Sequence, residues 1–178
     1  MEVVIDRLYG MPFDLLAPLV AESERDGWRF VRRLVDEWVA GTCRFDRPGE
    51  GLFGARLGGV IVGVCGLNVD PYAADPTIGR VRRLYVLRAC RGQGIGFQLV
   101  QSVVHAARGR FRSLRLRTEN GDAGRLYERA GFVPAVGVPD CTHFLRLDTS
   151  AGQSIVATAN NHVIRRLAGP SPAGKNRQ

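Results

Sequence analysis

The stretch from Arg80 to Thr118 limits the folds open to this chain more than any other. Arg80 to Leu87 reads as a strand, the glycine-rich run Arg91-Gly92-Gln93-Gly94-Ile95-Gly96 follows, and Ile95, Leu99, Val103 and Ala107 recur every four residues as one helix face ending near Gly109. Ser113 to Thr118 alternates again. A strand, a helix and a second strand in so short a span form a crossover, which makes the two strands parallel. The expected class is therefore α/β with a central mixed sheet.

Between that strand and helix, small residues let backbone N–H groups converge on an anion at the helix N-terminus, so the glycine run reads as a phosphate site. It is not a nucleoside-triphosphate loop, since no Gly-Lys-Ser/Thr follows. Nor is it a dinucleotide fingerprint, because Phe97 stands where the third glycine belongs. A tight turn without a ligand is the alternative that the loop alone leaves open.

Upstream, Glu2 to Leu8 alternates as a first strand, and Pro12 opens a helix running through Val20 and Ala21. Trp28, Val31, Leu34, Val35 and Trp38 predict a second amphipathic helix from about Trp28 to Ala40. Leu52 to Leu57, Gly58-Gly59 and Val60 to Val69 read as a hairpin, and Pro71 and Pro76 bound a loop. Downstream, Ala123, Leu126, Tyr127 and Ala130 mark a short helix stopped by Gly131, and Val133 to Val138 and Thr142 to Leu147 supply two final strands. One domain is expected over 1–148. A tail follows over 149–178, with a short helix over 154–168 and a disordered end.

Of the 25 basic residues, only Lys175 is not arginine. Residues 1–79 hold 8 Arg against 12 acidic residues, net −4, whereas residues 80–147 hold 13 Arg against 4, net +9. This asymmetry predicts an anionic ligand on one side of the domain and a cationic one on the other. Cys43, Cys65, Cys90 and Cys141 have neither C-x-x-C spacing nor nearby histidines, so they read as buried reduced thiols, and no metal is expected. The longest apolar stretch, Gly59 to Leu67, is too short to cross a bilayer, and the N-terminus lacks a secretory pattern. A cytoplasmic protein without a membrane partner is the expectation.

Asn120, Ala123, Leu126, Tyr127, Gly131 and Phe132 fall in the pattern N-x-x-A-x-x-L-Y-x-x-x-G-F, about twenty-five residues beyond the glycine loop. Together the two motifs resemble the GNAT superfamily of acetyl-CoA-dependent N-acetyltransferases, in which a βαβ core binds acetyl-CoA and the fourth and fifth strands splay apart. The resemblance implies that the amides of Arg91, Gly92, Gln93, Gly94, Ile95, Gly96 and Phe97 cradle the pyrophosphate, with Arg91 and Arg88 adding charge. It implies that the pantetheine arm bonds to the main chain at Leu84, Tyr85 and Val86, where an N–H polarises the thioester carbonyl. It makes Asn120 a cofactor contact, although a helix N-cap explains that residue equally well. It makes Tyr127 the general acid that returns a proton to the CoA thiolate. The alternative for Tyr127 is a half-buried aromatic on a helix face.

One element of the family pattern is missing. Members often carry an acidic general base on the fourth or fifth strand, but here those stretches read Gly79-Arg80-Val81-Arg82-Arg83 and Arg115-Leu116-Arg117. The remaining candidates are Glu119, Asp70, Asp75, Glu50, His143 or a water. Deprotonating a lysine-like amine at pH 7 costs about 4.6 kcal/mol and an α-amine about 1 kcal/mol, so a weak base favours the second. The leading expectation is direct acetyl transfer to a primary amine on a small molecule or protein, within a ternary complex. A CoA-binding regulatory module is the first alternative; transfer to an RNA-linked amine ranks last. Neither the acceptor nor the oligomeric state can be read from the residues.

Overall fold

The computed structural model describes residues 2–147. Val3–Leu8 (β1), Gly51–Leu57 (β2), Val60–Val69 (β3) and Ile78–Val86 (β4) are consecutive antiparallel neighbours. Ser113–Leu116 (β5) joins β4 in parallel through the helix Ile95–Ala107 (α3), as the crossover requires. His143–Arg146 (β7) and the two-residue Val133–Pro134 (β6) complete a seven-stranded sheet in the order β1-β2-β3-β4-β5-β7-β6.

The helices Phe13–Arg25 (α1) and Phe30–Val39 (α2) cover one face of the sheet, and α3 and Gly121–Arg129 (α4) lie on the other. On the α3 side, Leu99, Val100, Val103 and Ala107 pack on Ala55, Val62, Cys65, Leu67, Val81 and Leu114. On the α1 side, Leu16, Leu19, Val31 and Leu34 pack on Leu52, Ile61, Val64 and Tyr85. Each fully buried Leu or Val contributes about 1.5–3 kcal/mol, so the alternation along β3 anchors both layers at once.

The bounds of several elements differ from the sequence expectation. Helix α1 continues to Arg25 and is ended by Gly27 at φ +81°, while the Trp28 N–H bonds the Ser23 carbonyl at 2.8 Å. This turn leaves Trp28 outside α2, which starts at Phe30. The strand expected over Val133 to Val138 shrinks to two residues, since Pro134 has no N–H, Gly137 has φ +72° and Pro139 follows. The strand expected to reach Thr118 stops at Leu116. The expected helix over 154–168 and the disordered end lie outside the described residues.

The functional geometry comes from the parting of β4 and β5. They pair only at Ile78↔Ser113, Gly79↔Leu114 and Arg80↔Arg115, after which β5 continues against β7, with Leu116 opposite His143. On its other edge β4 carries a bulge: the register steps from Val64↔Tyr85 to Gly66↔Arg82, which leaves Arg83 and Leu84 opposite Cys65. Arg83 has φ +61°, an unusual backbone for a side-chain-bearing residue. Its guanidinium is held 2.6 Å from Glu37 Oε1 of α2. The bulge bends β4 away from β5 and opens a gap beside Val81 to Val86.

Candidate active site

The glycine loop lies at the mouth of this gap. Gly92 (φ +76°) and Gly94 (φ +79°, the N-cap of α3) take left-handed backbone, and an added Cβ at either would meet nothing within 4 Å. Glycine is therefore required for conformation, with open space in front. Gly96 serves packing instead, since a Cβ there would lie 3.0 Å from Leu126 Cδ1 of α4. Among the described residues, no carbonyl or side chain accepts from the amides of Gly92, Gln93, Gly94, Ile95, Gly96 or Phe97; the first N–H to find a partner is that of Gln98, to Gly94 O at 3.0 Å. Six consecutive unpaired donors at a helix N-terminus form a cradle for an anion such as a pyrophosphate.

Leu84, Tyr85 and Val86 line the gap as strand β4. The Leu87 N–H bonds Val62 O of β3 at 2.8 Å, so alternation turns the Val86 main chain toward the gap. The Val86 carbonyl there accepts from Arg91 Nε at 2.8 Å. Arg91 also lies 5.2 Å over the Tyr85 ring and 3.7 Å from Asp26 Oδ2. Arg88 is tied to helix α1 as well, with its Nη2 2.7 Å from Asp26 Oδ1 and its N–H donating to Glu22 Oε1 at 2.8 Å. Tyr85 donates its hydroxyl to the same Glu22 oxygen at 3.0 Å, and burial, followed by this carboxylate, pushes the phenol up to about 12. Sequence reasoning missed Glu22 and Asp26, whose i, i+4 spacing on α1 is the signal that pairs them.

Tyr127 is buried on α4, edge-on to Phe132 at 5.7 Å between centroids, in the cluster holding Cys65, Val86 and Leu116 from the three strands around the gap. Burial raises its pKa strongly and the nearby Cys65 thiol adds to this, so the phenol stays protonated. Its hydroxyl has no hydrogen-bond partner among the described residues. Asn120 caps α4, its Oδ1 accepting from Asp122 N at 2.9 Å and Ala123 N at 3.1 Å. Its Nδ2 has no partner among the described residues and faces no competing bond.

The carboxylate candidates are otherwise engaged. Asp70 is buried and pairs with Arg80 at 3.3 Å; Glu50 is buried and accepts from Val69 N at 3.0 Å. Asp75 binds the Thr77 hydroxyl at 2.6 Å and N–H at 2.8 Å, which holds its pKa below the usual range. Glu119 is exposed and pairs with Arg117 at 3.1 Å. His143 is buried on the α4 face, 6.5 Å from the Tyr127 ring between centroids, with Nδ1 3.0 Å from Thr142 Oγ1. Part of the acidic first half is spent on internal ion pairs: Asp26, Glu37, Asp70 and Asp75 each answer an arginine from 80–147.

The acetyltransferase (GNAT) family profile matches residues 17–132, which include the loop, the gap and Tyr127. The chain belongs to the GNAT acetyltransferase family. It is 31% identical over 111 residues to aminoglycoside N(6')-acetyltransferase type 1 of Klebsiella aerogenes, covering 53% of this chain and 73% of that protein. It is 34% identical over 89 residues to the N-alpha-acetyltransferase RimI of Mycobacterium tuberculosis, covering 48% of this chain and 53% of that one. A solved structure of a candidate acetyltransferase from Exiguobacterium sp. 255-15 superposes with a TM-score of 0.71 at 28% identity, over 90% of this chain and 99% of the other. This GNAT protein is accordingly an acyltransferase with the mixed α/β fold of its relatives. No described helix is long and apolar enough to cross a membrane, and the described residues hold no cluster of three or more metal-ligating side chains.

Proposed function

We propose that this GNAT enzyme transfers an acetyl group from acetyl-CoA to a primary amine by direct attack within a ternary complex. The observation that carries this reading is the run of six unpaired amides opening onto the gap between β4 and β5. The loop amides bind the pyrophosphate. The N–H groups on the gap edge of β4 at Leu84 and Val86 orient the pantetheine arm beside the thioester, and Asn120 contributes its uncommitted Nδ2. A β4 amide polarises the thioester carbonyl and stabilises the oxyanion that forms on attack.

Acetyl-CoA supplies the activated acyl group. Tyr127 keeps its proton in the free enzyme and delivers it to the departing thiolate; the phenol is a weaker acid than a thiol, so its contribution comes from placement rather than acidity. Each carboxylate candidate already holds a hydrogen bond or ion pair, Asp70 through its Oδ1 while its buried Oδ2 has no partner among the described residues, and this supports removal of the amine proton through water. Both curated relatives are named for transfer to amines, an aminoglycoside in one and an α-amine in the other.

The test is calorimetric titration with CoA together with an acetyl-CoA turnover screen across amine classes. Binding and turnover on at least one amine are expected. CoA binding without turnover on any amine would favour a regulatory module, and absence of CoA binding would overturn the reading.

A further inference from the structure

The face of the gap opposite α3 and α4 carries a row of arginines that internal ion pairing does not fully neutralise. Leu114 and Leu116 point into the core on the α3 side, so alternation places Arg115 on the other face, beside Phe144 of β7, and Arg117 follows just past the end of the strand. Arg80 stands directly beside Arg115 across the β4–β5 pair, and Arg82 follows two residues later on the same face. On this side α1 packs on β3 and β4 and α2 on β4.

The counter-ions are distributed unevenly. Arg80 is answered by the buried Asp70, by the Asp140 carbonyl at 2.9 Å and by the Tyr72 ring at 4.6 Å. Arg117 is answered by Asp140 and Glu119. Among the described residues Arg82 has only Glu37, at 3.7 Å, and Glu37 is already bonded to Arg83 at 2.6 Å. Arg115, half-buried, has no carboxylate within salt-bridge distance among the described residues; it is near enough to Asp75 to help hold that carboxyl low, but Asp75 is bonded to Arg112 at 2.7 Å. Like charges side by side on neighbouring strands are unfavourable unless something anionic joins them, and a half-buried guanidinium loses hydration without a counter-ion.

We infer that the acceptor amine carries a carboxylate, which Arg115 and Arg82 receive on this face while the amine enters the gap. The inference rests on the acetyltransferase reading and names its substrate class. Arg82 lies just beyond the last β4–β5 pair, where the strands begin to part, and Arg115 is the last β5 residue paired with β4. An anion held between them fixes the distance from carboxylate to attacking nitrogen. A guanidinium receives a carboxylate through two parallel hydrogen bonds, so the row selects orientation as well as charge.

The test compares acceptors matched in their α-amine and differing in charge: Gly-Glu-amide against Gly-Gln-amide, and Glu-Ala-amide against Gln-Ala-amide. Wild type should prefer the carboxylate member of at least one pair by about tenfold or more in kcat/KM, the scale of a charge-assisted hydrogen bond. Arg115→Gln should collapse that ratio toward one and leave the KM for acetyl-CoA unchanged; Arg115→Lys should restore part of it. Equal rates within both pairs in wild type, or a ratio unchanged in Arg115→Gln, would overturn the inference and leave acetyl transfer standing. No turnover and no CoA binding would overturn the acetyltransferase reading and the inference with it.

Discussion

The two faces of the β4–β5 gap are built by opposite means. On the α3 and α4 face the work falls to main chain: glycines at φ +76° and +79°, unpaired amides, a strand edge and one buried phenol. On the other face it falls to long charged side chains drawn from β4, β5, α2 and the loops that follow β3 and β5. A main-chain cradle suits a group common to many ligands, as the proposed pyrophosphate is to every acyl-CoA. A side-chain surface can change its acceptor by substitution without disturbing the fold.

The comparison breaks most sharply at Gly94. Gly94→Glu forces a side chain into left-handed backbone, at about 1–2 kcal/mol, and sets a like charge against the phosphates at several kcal/mol more. Calorimetry should show CoA binding weakened by about a thousandfold or more. Wild-type affinity in this variant would mean that the loop is only a turn.

On the opposite face the largest effect should fall on stability instead. Asp70→Ala leaves the buried Arg80 without its carboxylate and removes the oxygen that accepts from Tyr72 N at 3.0 Å. Breaking a buried pair costs about 3–5 kcal/mol, which for a domain of this size lowers Tm by about 10 °C. An unchanged Tm would show that Arg80 finds solvent or another partner, and that the face is softer than its burial suggests.

Tyr127→Phe probes the cofactor face without disturbing its packing, since the ring and its edge-on contact with Phe132 survive. Turnover should fall about ten- to a thousandfold with CoA affinity unchanged. Unaltered kinetics would reduce Tyr127 to a core aromatic. Its neighbour in kind, Tyr85, gives a pH signature: the folded phenol is raised to about 12 while the unfolded one titrates near 10. The folded state then holds the proton longer, so stability present below pH 10 should be lost between pH 10 and 12, and Tyr85→Phe should flatten that decline.

This contrast also explains what was legible in the sequence. The crossover, the hairpin and the glycine loop announce themselves because their determinants are local: four-residue periodicity in α3, a Gly-Gly turn, glycines at fixed offsets. Asn120 was readable as either a cap or a contact, and its Oδ1 caps while its Nδ2 is free. The ion pairs were not legible: Asp26 with Arg88 and Glu37 with Arg83 join residues separated by other elements, Asp70 with Arg80 spans the loop between β3 and β4, and charge counted along the chain hides its cancellation in space. The bulge at Arg83 was invisible for the same reason: no glycine marks the positive φ, which Glu37 holds from across α2.

The smallest expected effects concern the missing base. Glu119→Gln and Asp75→Asn should each keep kcat/KM within about tenfold of wild type, the lower edge of what a general base contributes. Glu119 lies exposed and bonded to Arg117, and Asp75 is held as an anion by Thr77 and Arg112, which weakens it as a proton acceptor. If water removes the proton, the rising limb of kcat/KM against pH belongs to the amine itself. Exchanging an α-amine acceptor near pKa 7.8 for a lysine-like one near 10.4 should carry that limb upward by about 2.6 units. A limb that stays fixed when the acceptor changes would assign the titration to the enzyme, and a loss of about a thousandfold in either variant with CoA binding intact would name its base.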